Sequence, residues 1–204
     1  MSELLRMTGI SKSFGQVRAL DNAQLSLKSG EVLALMGENG AGKSTLMNIL
    51  SGAITNYTSN IFIDGKKTVI GSPTAAQKLG IAKIHQELQL VRETSIAENI
   101  FMGREKCNRF GFVCKVEMEQ EAQKYLDMLE LPIKANRKIK SLRIGEQQMV
   151  EIAKALSLNA RILIMDEPTA SLTQHEYEDL YRIVEKLRDS GVSIIFITHK
   201  FEVL

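Results

Sequence analysis

The chain is poor in the features that would tie it to a specialised setting. It has two cysteines, Cys107 and Cys114, too few for a disulfide framework and without the paired spacing of a zinc site, which suits a reducing compartment. Its net charge is only +2, with the signs mixed along the chain, so no nucleic-acid or anionic-membrane partner is expected. The one basic cluster, Lys134, Arg137, Lys138, Lys140 and Arg143, reads as a solvated loop, with polyanion contact as the alternative. No apolar run approaches membrane-spanning length. The opening segment from Met1 to Met7 lacks the apolar core and small-residue cleavage site of a secretory signal. Internal repeats and low-complexity tracts are missing as well. A protein of this kind would serve a membrane only through a partner.

What is present is a globular chain. A hydrophobic fraction of 44% over 204 residues is enough to bury a core and excludes wholesale disorder. Short β-type runs alternate with helical patterns, which predicts an α/β domain around a largely parallel sheet. Val32 to Met36, Ile162 to Met165 and Val192 to Thr198 read as buried strands. Asp64-Gly65 between Ile61 and Lys67 predicts a hairpin, because both residues tolerate positive φ. Together with the N-terminal segment it suggests a small antiparallel sheet. Met149, Ile152, Ala153 and Leu156 recur on one helical face, as do Tyr177, Leu180, Tyr181, Val184 and Leu187. Thr173 to Glu176 is a capping box for the second of these helices, and Ser190-Gly191 marks its end. A helix from Glu117 to Leu129 falls in a region with few strand signals, read as an inserted helical subdomain.

Two segments carry chemistry. After the apolar run Val32 to Met36 comes Gly37-Glu38-Asn39-Gly40-Ala41-Gly42-Lys43-Ser44, followed by Thr45 and a helix-like stretch. Glycines in such a loop let successive N–H groups converge on phosphate oxygens, and the following helix adds its positive end. Lys43 would reach the β- and γ-phosphates and Ser44 would offer its hydroxyl to Mg²⁺. The second segment is the strand Ile162 to Met165 running into Asp166 and Glu167, two acids at the sheet edge where doubly wound folds bind ligands. The expected division of labour gives Mg²⁺ to Asp166, through water, and the attacking water to Glu167.

Between them, Ser141 to Leu156 is similar to the signature segment of the ABC-transporter ATPases. The order of Gln86 after Ile84-His85, Asp166-Glu167-Pro168-Thr169 and Thr198-His199-Lys200 matches that family along nearly the whole chain. The resemblance implies a phosphate-loop core with a parallel sheet, a small antiparallel β subdomain and an inserted helical subdomain, with ATP and Mg²⁺ as ligands. It divides the domain 1–204 into a core of about 1–86 and 146–204 and a helical subdomain of about 87–145. Phe14 matches the aromatic that stacks on adenine, a buried core phenylalanine being the alternative. Gln86 matches the residue that contacts Mg²⁺ or the attacking water and links the helical subdomain to a membrane partner. His199 matches the switch histidine that senses the γ-phosphate, so Glu167, His199 and Gln86 are the expected catalytic set. His85 and His175 read as structural.

Several segments, among them Met36 to Thr45 and Gln147 to Lys154, are similar to the ATPases of bacterial monosaccharide importers of the ribose, galactose and xylose type. Those ATPases commonly carry two such halves, and this sequence resembles the first. The resemblance implies a second ATP-binding domain, an integral membrane permease and, indirectly, an extracytoplasmic solute-binding protein as partners, at the cytoplasmic face of the inner membrane. The signature Leu142-Arg143-Ile144-Gly145-Glu146 departs from the family, which has serine at Arg143 and commonly glutamine at Glu146. Thr173 stands where the family usually has aspartate. These changes touch the site the chain would complete for its partner, so weak hydrolysis by the isolated chain is expected. Phe201 to Leu204 reads as the opening turn of a helix with further strands to follow, hence a chain truncated at its C-terminus. Two other readings stay open: a non-hydrolysing or truncated regulatory ATP-binding module, and a soluble ABC ATPase.

Overall fold

The computed structural model describes residues 2–38, 40–168 and 172–198. In chain order the strands are β1 (Glu3–Phe14), β2 (Val17–Lys28), β3 (Val32–Met36), β4 (Thr58–Ile63), β5 (Lys66–Thr68), β6 (Ile81–Ile84), β7 (Ile162–Asp166) and β8 (Ser193–Thr198). The helices are α1 (Lys43–Leu50), α2 (Pro73–Lys78), α3 (Ile96–Ile100), α4 (Lys115–Met128), α5 (Ile144–Leu156) and α6 (Gln174–Asp189). They fall into two compact units. One comprises the described parts of Met1–Lys83, Ala160–Glu167 and Val184–Leu204, the other those of Ile84–Asn159 and Pro168–Ile183.

The first unit contains two sheets. An antiparallel sheet runs in the order β2-β1-β4-β5, and the second in the order β3-β8-β7-β6. The β4–β5 hairpin turns on Asp64 (φ 50°) and Gly65 (φ 74°), the positive φ angles the sequence predicts there. Asp64 is also gripped by both guanidinium nitrogens of Arg161 at 2.8 Å. That fork ties the hairpin to the start of β7 and holds the Asp64 carboxyl below its usual range. The β3–β8 and β7–β8 pairs are both parallel, so the C-terminal ends of β3, β7 and β8 share one edge. β7 and β8 are buried, as predicted, whereas β3 is only half-buried. Its place at the end of the sheet order is the physical reason.

Leu5, Met7, Ile10 and Ile61 from the antiparallel sheet meet Met47, Ile49 and Leu50 of α1 and Ile164, Ile195 and Ile197 of the parallel sheet in one apolar core. Cutting the fully buried Leu50 to Ala would cost about 2–5 kcal/mol through lost contacts and a cavity. The core thereby fixes α1, and with it the loop that precedes it.

In the second unit α3, α4 and α5 pack through buried Ile96, Ile100, Met118, Ala122, Leu126, Met149, Ile152 and Ala153. Ser95 and Glu98 form a reciprocal capping box on α3. The Ser95 N–H and then the Lys115 ammonium pull the Glu98 carboxyl down to about 2. On α6, the predicted apolar stripe is corrected in one place. Tyr181 is exposed while Ile183 is buried with Leu180, Val184 and Leu187; the spacing i, i+3, i+4, i+7 admits either residue, and packing turns the face of Leu180, Ile183, Val184 and Leu187 inward and leaves Tyr181 on the flank.

Candidate nucleotide-binding site

The chain leaves β3 at Gly37 (φ 151°) and curls through Gly40 (φ 86°) and Gly42 (φ 85°) into α1. A turn bond from the Ala41 N–H to the Glu38 carbonyl (3.2 Å) and the first helical bond, from Leu46 N–H to the Gly42 carbonyl (2.9 Å), bracket the loop. At Gly42 a side chain is impossible on two counts. The φ is left-handed, and a Cβ would lie 2.6 Å from the Ala19 carbonyl and 2.7 Å from Leu20 Cδ2. Gly42 also supplies no side-chain cap to α1, and no acidic residue stands in that helix's first turn. The N-terminal N–H groups of α1 are therefore donors uncapped by any side chain at the N-cap, with the positive helix end behind them. Lys43, the first helical residue, donates from Nζ to the Gly37 carbonyl at 2.5 Å and the Glu38 carbonyl at 2.8 Å. These are weak partners that a phosphate oxygen would outcompete.

Asp166 and Glu167 stand at the same sheet edge. Met36 pairs with Thr198 and Asp166 with Ile197, so the loop after β3 and the acids after β7 are separated by one strand, roughly 10 Å at normal strand spacing. Glu167 has φ 48° and donates its N–H to the Ile197 carbonyl at 3.1 Å. A glutamate in the left-handed region costs about 1 kcal/mol or more, a kind of strain that clusters at functional sites.

Asp166 is held by a residue the sequence reading overlooked. Lys83 Nζ lies 2.9 Å from Asp166 Oδ2, and their side chains are only 6% and 14% exposed. The same ammonium donates to Asn48 Oδ1 at 2.9 Å. Asn48 is one turn along α1 from Ser44, on the same face, so Ser44 belongs to the face of α1 directed at Lys83 and Asp166. A hydroxyl and a carboxylate form a hard oxygen set that fits a Mg²⁺ ion completing its shell with phosphate and water. Among the described residues no three His, Cys, Asp or Glu side chains gather into a metal site of their own.

Phe14 ends β1 and is half exposed, not the buried core residue of the alternative reading. The Lys12 ammonium lies 5.0 Å from its ring centroid. Phe14 pairs with Val17, three residues along β2 from the Leu20 that abuts Gly42. That puts the ring roughly 10 Å along the strand from the phosphate loop. Glu38, Gly40, Ala41 and Ser44 are exposed, and Thr45 is half-buried in α1. Gln86 is exposed and belongs to the second unit. Asn39 and His199 lie outside the described residues.

The Leu142-to-Glu146 segment opens α5. Leu142 is buried, Ile144 is 49% exposed, and Arg143 is the exposed N-cap. The Arg143 N–H donates to Glu146 Oε2 at 2.8 Å. The guanidinium has no acceptor with which to cap the helix in return. Glu176 supplies a second carboxylate: Oε1 accepts from the Gly145 N–H at 3.1 Å, and Oε2 accepts from the Thr173 N–H at 3.0 Å and the Thr173 hydroxyl at 2.9 Å. One side chain thus ties the starts of α5 and α6 together. A Cβ at position 145 would fall 2.6 Å from Glu176 Oε1, so a larger residue there would push this carboxylate aside and weaken its bond to the α5 start. The Thr173 N–H, its hydroxyl and then Gly145 and Arg143 hold the Glu176 carboxyl below its ordinary value.

A phosphate loop, an acidic strand at the same edge and a signature-like helix start match the model of one family, described as "ABC transporter", over residues 20–170. The chain belongs to the ABC transporter family. It is 50% identical over 200 residues to the ribose import ATP-binding protein RbsA of Caldanaerobacter subterraneus subsp. tengcongensis, an alignment covering 98% of this chain and 40% of that protein. The ribose import protein RbsA of Chromobacterium violaceum is likewise 50% identical, over 197 residues, 96% of this chain and 39% of its own length. The chain therefore spans about 40% of the length of the curated relatives it matches. In three dimensions it superposes on the ADP conformation of MJ1267, an ATP-binding cassette of an ABC transporter, with a TM-score of 0.88 at 28% identity, covering 100% of this chain and 84% of that one. The fold is that of an ABC ATPase cassette, a parallel sheet, an antiparallel sheet and helices together.

Within this cassette the family pattern left Lys83, Asn48 and Glu176 unassigned. Lys83 had a sequence signal, a lysine inside the otherwise apolar strand Ile81–Ile84. Glu176 was visible only as half of a capping box. Its bond to Gly145 joins residues 31 positions apart and had no local signature.

Proposed function

We propose that the chain is the nucleotide-binding half of an ATP-hydrolysing subunit that energises an ABC importer, with a monosaccharide as cargo. The observation that carries the ATPase reading is the acid-free, uncapped start of α1 with Lys43 beside it and Asp166 and Glu167 at the same sheet edge. Phe14 would stack on the base, the loop from Gly37 to Thr45, Asn39 included, would wrap the phosphates with its N–H groups, and Lys43 would turn from its own loop carbonyls to the β- and γ-phosphates. Ser44 and Asp166 would hold Mg²⁺, which when bound would neutralise charge developing on the phosphates, and Gln86 is assigned to the metal or the attacking water. Glu167 orients and deprotonates that water, and His199 senses the γ-phosphate. The sugar cargo rests on the names of the relatives, which are ribose import ATP-binding proteins.

The partners that complete this reading are a second ATP-binding domain, a membrane-embedded permease and, through it, a solute-binding protein. The chain would work peripherally at the cytoplasmic face of the membrane. Among the described residues no helix is long and apolar enough to cross a bilayer. We assign contact with the permease to the helical subdomain of about 87–145, entered at Gln86.

The defining test mixes the chain with an ATPase domain that carries an intact Leu-Ser signature and follows phosphate release. Turnover should appear in the mixture, stay low for the chain alone and vanish when Glu167 is changed to Gln. Tight Mg-ATP binding with no turnover beside the intact partner would instead favour the non-hydrolysing module. The Arg143 N-cap is the observation that keeps that reading in play.

A further inference from the structure

Lys83 sets a fixed positive charge against the carboxylate proposed to hold Mg²⁺. Its ammonium bridges Asp166 Oδ2 and Asn48 Oδ1, each at 2.9 Å. It is therefore bonded at once to the acidic strand and to the helix that carries the phosphate loop. With a side chain 6% exposed, it has lost most of its hydration, and among the described residues two oxygens replace it. An ordinary surface ion pair would be screened to near irrelevance. This one is shielded, so its charge is felt at short range.

We propose that Lys83 is a positioning residue that serves as a resident counter-ion of Asp166 and sets how strongly nucleotide binding depends on Mg²⁺. Without metal, the Asp166 carboxylate would repel the phosphates, and Lys83 cancels that repulsion while holding Asp166 toward α1. With metal, Asp166 must serve two cations through its two oxygens. Lys83 therefore raises affinity for metal-free ATP and lowers the site's affinity for Mg²⁺. By linkage, whatever factor Lys83 takes from the enhancement of ATP binding by Mg²⁺ it takes equally from the enhancement of Mg²⁺ binding by ATP. The inference rests on the reading of Asp166 as the metal-side carboxylate.

The test is equilibrium binding of ATP to the 204-residue chain, in EDTA and across a Mg²⁺ titration, for the wild type and the variants K83M, K83Q, K83R and D166N. A unit charge at this range is worth on the order of tenfold in affinity. K83M should weaken metal-free ATP binding about tenfold, leave affinity at saturating Mg²⁺ within about threefold, and lower the half-saturating Mg²⁺ about tenfold. K83R, which keeps the charge, should resemble the wild type. K83Q keeps hydrogen-bonding capacity without charge and should behave like K83M, so it carries the test if K83M fails to fold. If K83M or K83Q leaves both affinities unchanged while D166N reduces the enhancement by Mg²⁺, Lys83 has no such role and Asp166 keeps its own. If D166N leaves the Mg²⁺ enhancement unchanged, the reading of Asp166 fails and takes this inference with it. A K83R variant that behaves like K83M would show that shape, not charge, matters, and would also overturn the proposal.

Discussion

Two helix N-termini in this chain have opposite fates. α1 begins after Gly42 with no side-chain cap and no acid in its first turn. α5 begins at Arg143 with Glu146 on the Arg143 N–H and Glu176 on the Gly145 N–H. The same physics operates at both, since a helix start presents unsatisfied N–H groups and a partial positive charge. At α1 no side chain at the N-cap and no first-turn acid takes those groups, which leaves them open to the phosphate of the proposed nucleotide. At α5 they are occupied by the chain's own carboxylates, and the residue in the N-cap carries no acceptor. A helix start is thus an anion site only when the fold keeps its own acids away. The first of these ends is the half-site the chain would use itself, and the second is the one it would lend to a partner domain.

The strongest way to break this contrast is at the acids that share the sheet edge with the loop before α1. Changing Glu167 to Gln should leave ATP bound and slow phosphate release about a hundredfold or more in the mixed ATPase assay. An unaltered rate would remove Glu167 from the chemistry. Next in size is Lys43→Ala. Removing a charged hydrogen-bond donor should weaken ATP binding by a factor of about ten to a hundred in calorimetry, and affinity within twofold of the wild type would mean that the phosphates bind elsewhere.

Arg143→Ser tests the other end. A serine hydroxyl can accept from the Glu146 N–H and close the capping box, worth about 1 kcal/mol, or a few degrees of melting temperature. Under dimer-forming conditions it should also raise hydrolysis by the isolated chain. Higher stability without higher turnover would show that Arg143 is a poor cap but not the limiting defect.

The smallest effect concerns Glu176. Its carboxyl is held below the ordinary value of 4.5 by Thr173 and Gly145, so its contribution is complete above that value and is lost as pH falls through the lowered one. The stability gap between wild type and Glu176→Gln, followed by chemical denaturation, should be constant from neutral pH to about 5 and close in more acidic buffer. A gap that widened on acidification would contradict the bonding of Glu176 to both helix starts.

Much of the site could be read directly because its information is local. Gly37 to Ser44 is contiguous, the Asp166-Glu167 pair ends an unmistakable apolar strand, and Thr173 with Glu176 spans one helical turn. Asp64-Gly65 needed only its own φ angles. The readings that failed or were missing depended on neighbours far along the chain. Tyr181 fits a helical stripe as well as Ile183 does until packing chooses between them. Val32 to Met36 reads as a buried strand until the sheet order places it at an end.

The sequence by itself determined the phosphate loop, the acidic strand and the family to which the chain belongs, because each rests on residue types at fixed short spacings. Tertiary structure alone decided that Lys83 neutralises Asp166 and bonds Asn48, and that Glu176 closes the start of α5. Charge acts through space over a few ångströms, and only the folded chain brings residues 83 and 166, or 145 and 176, within that distance.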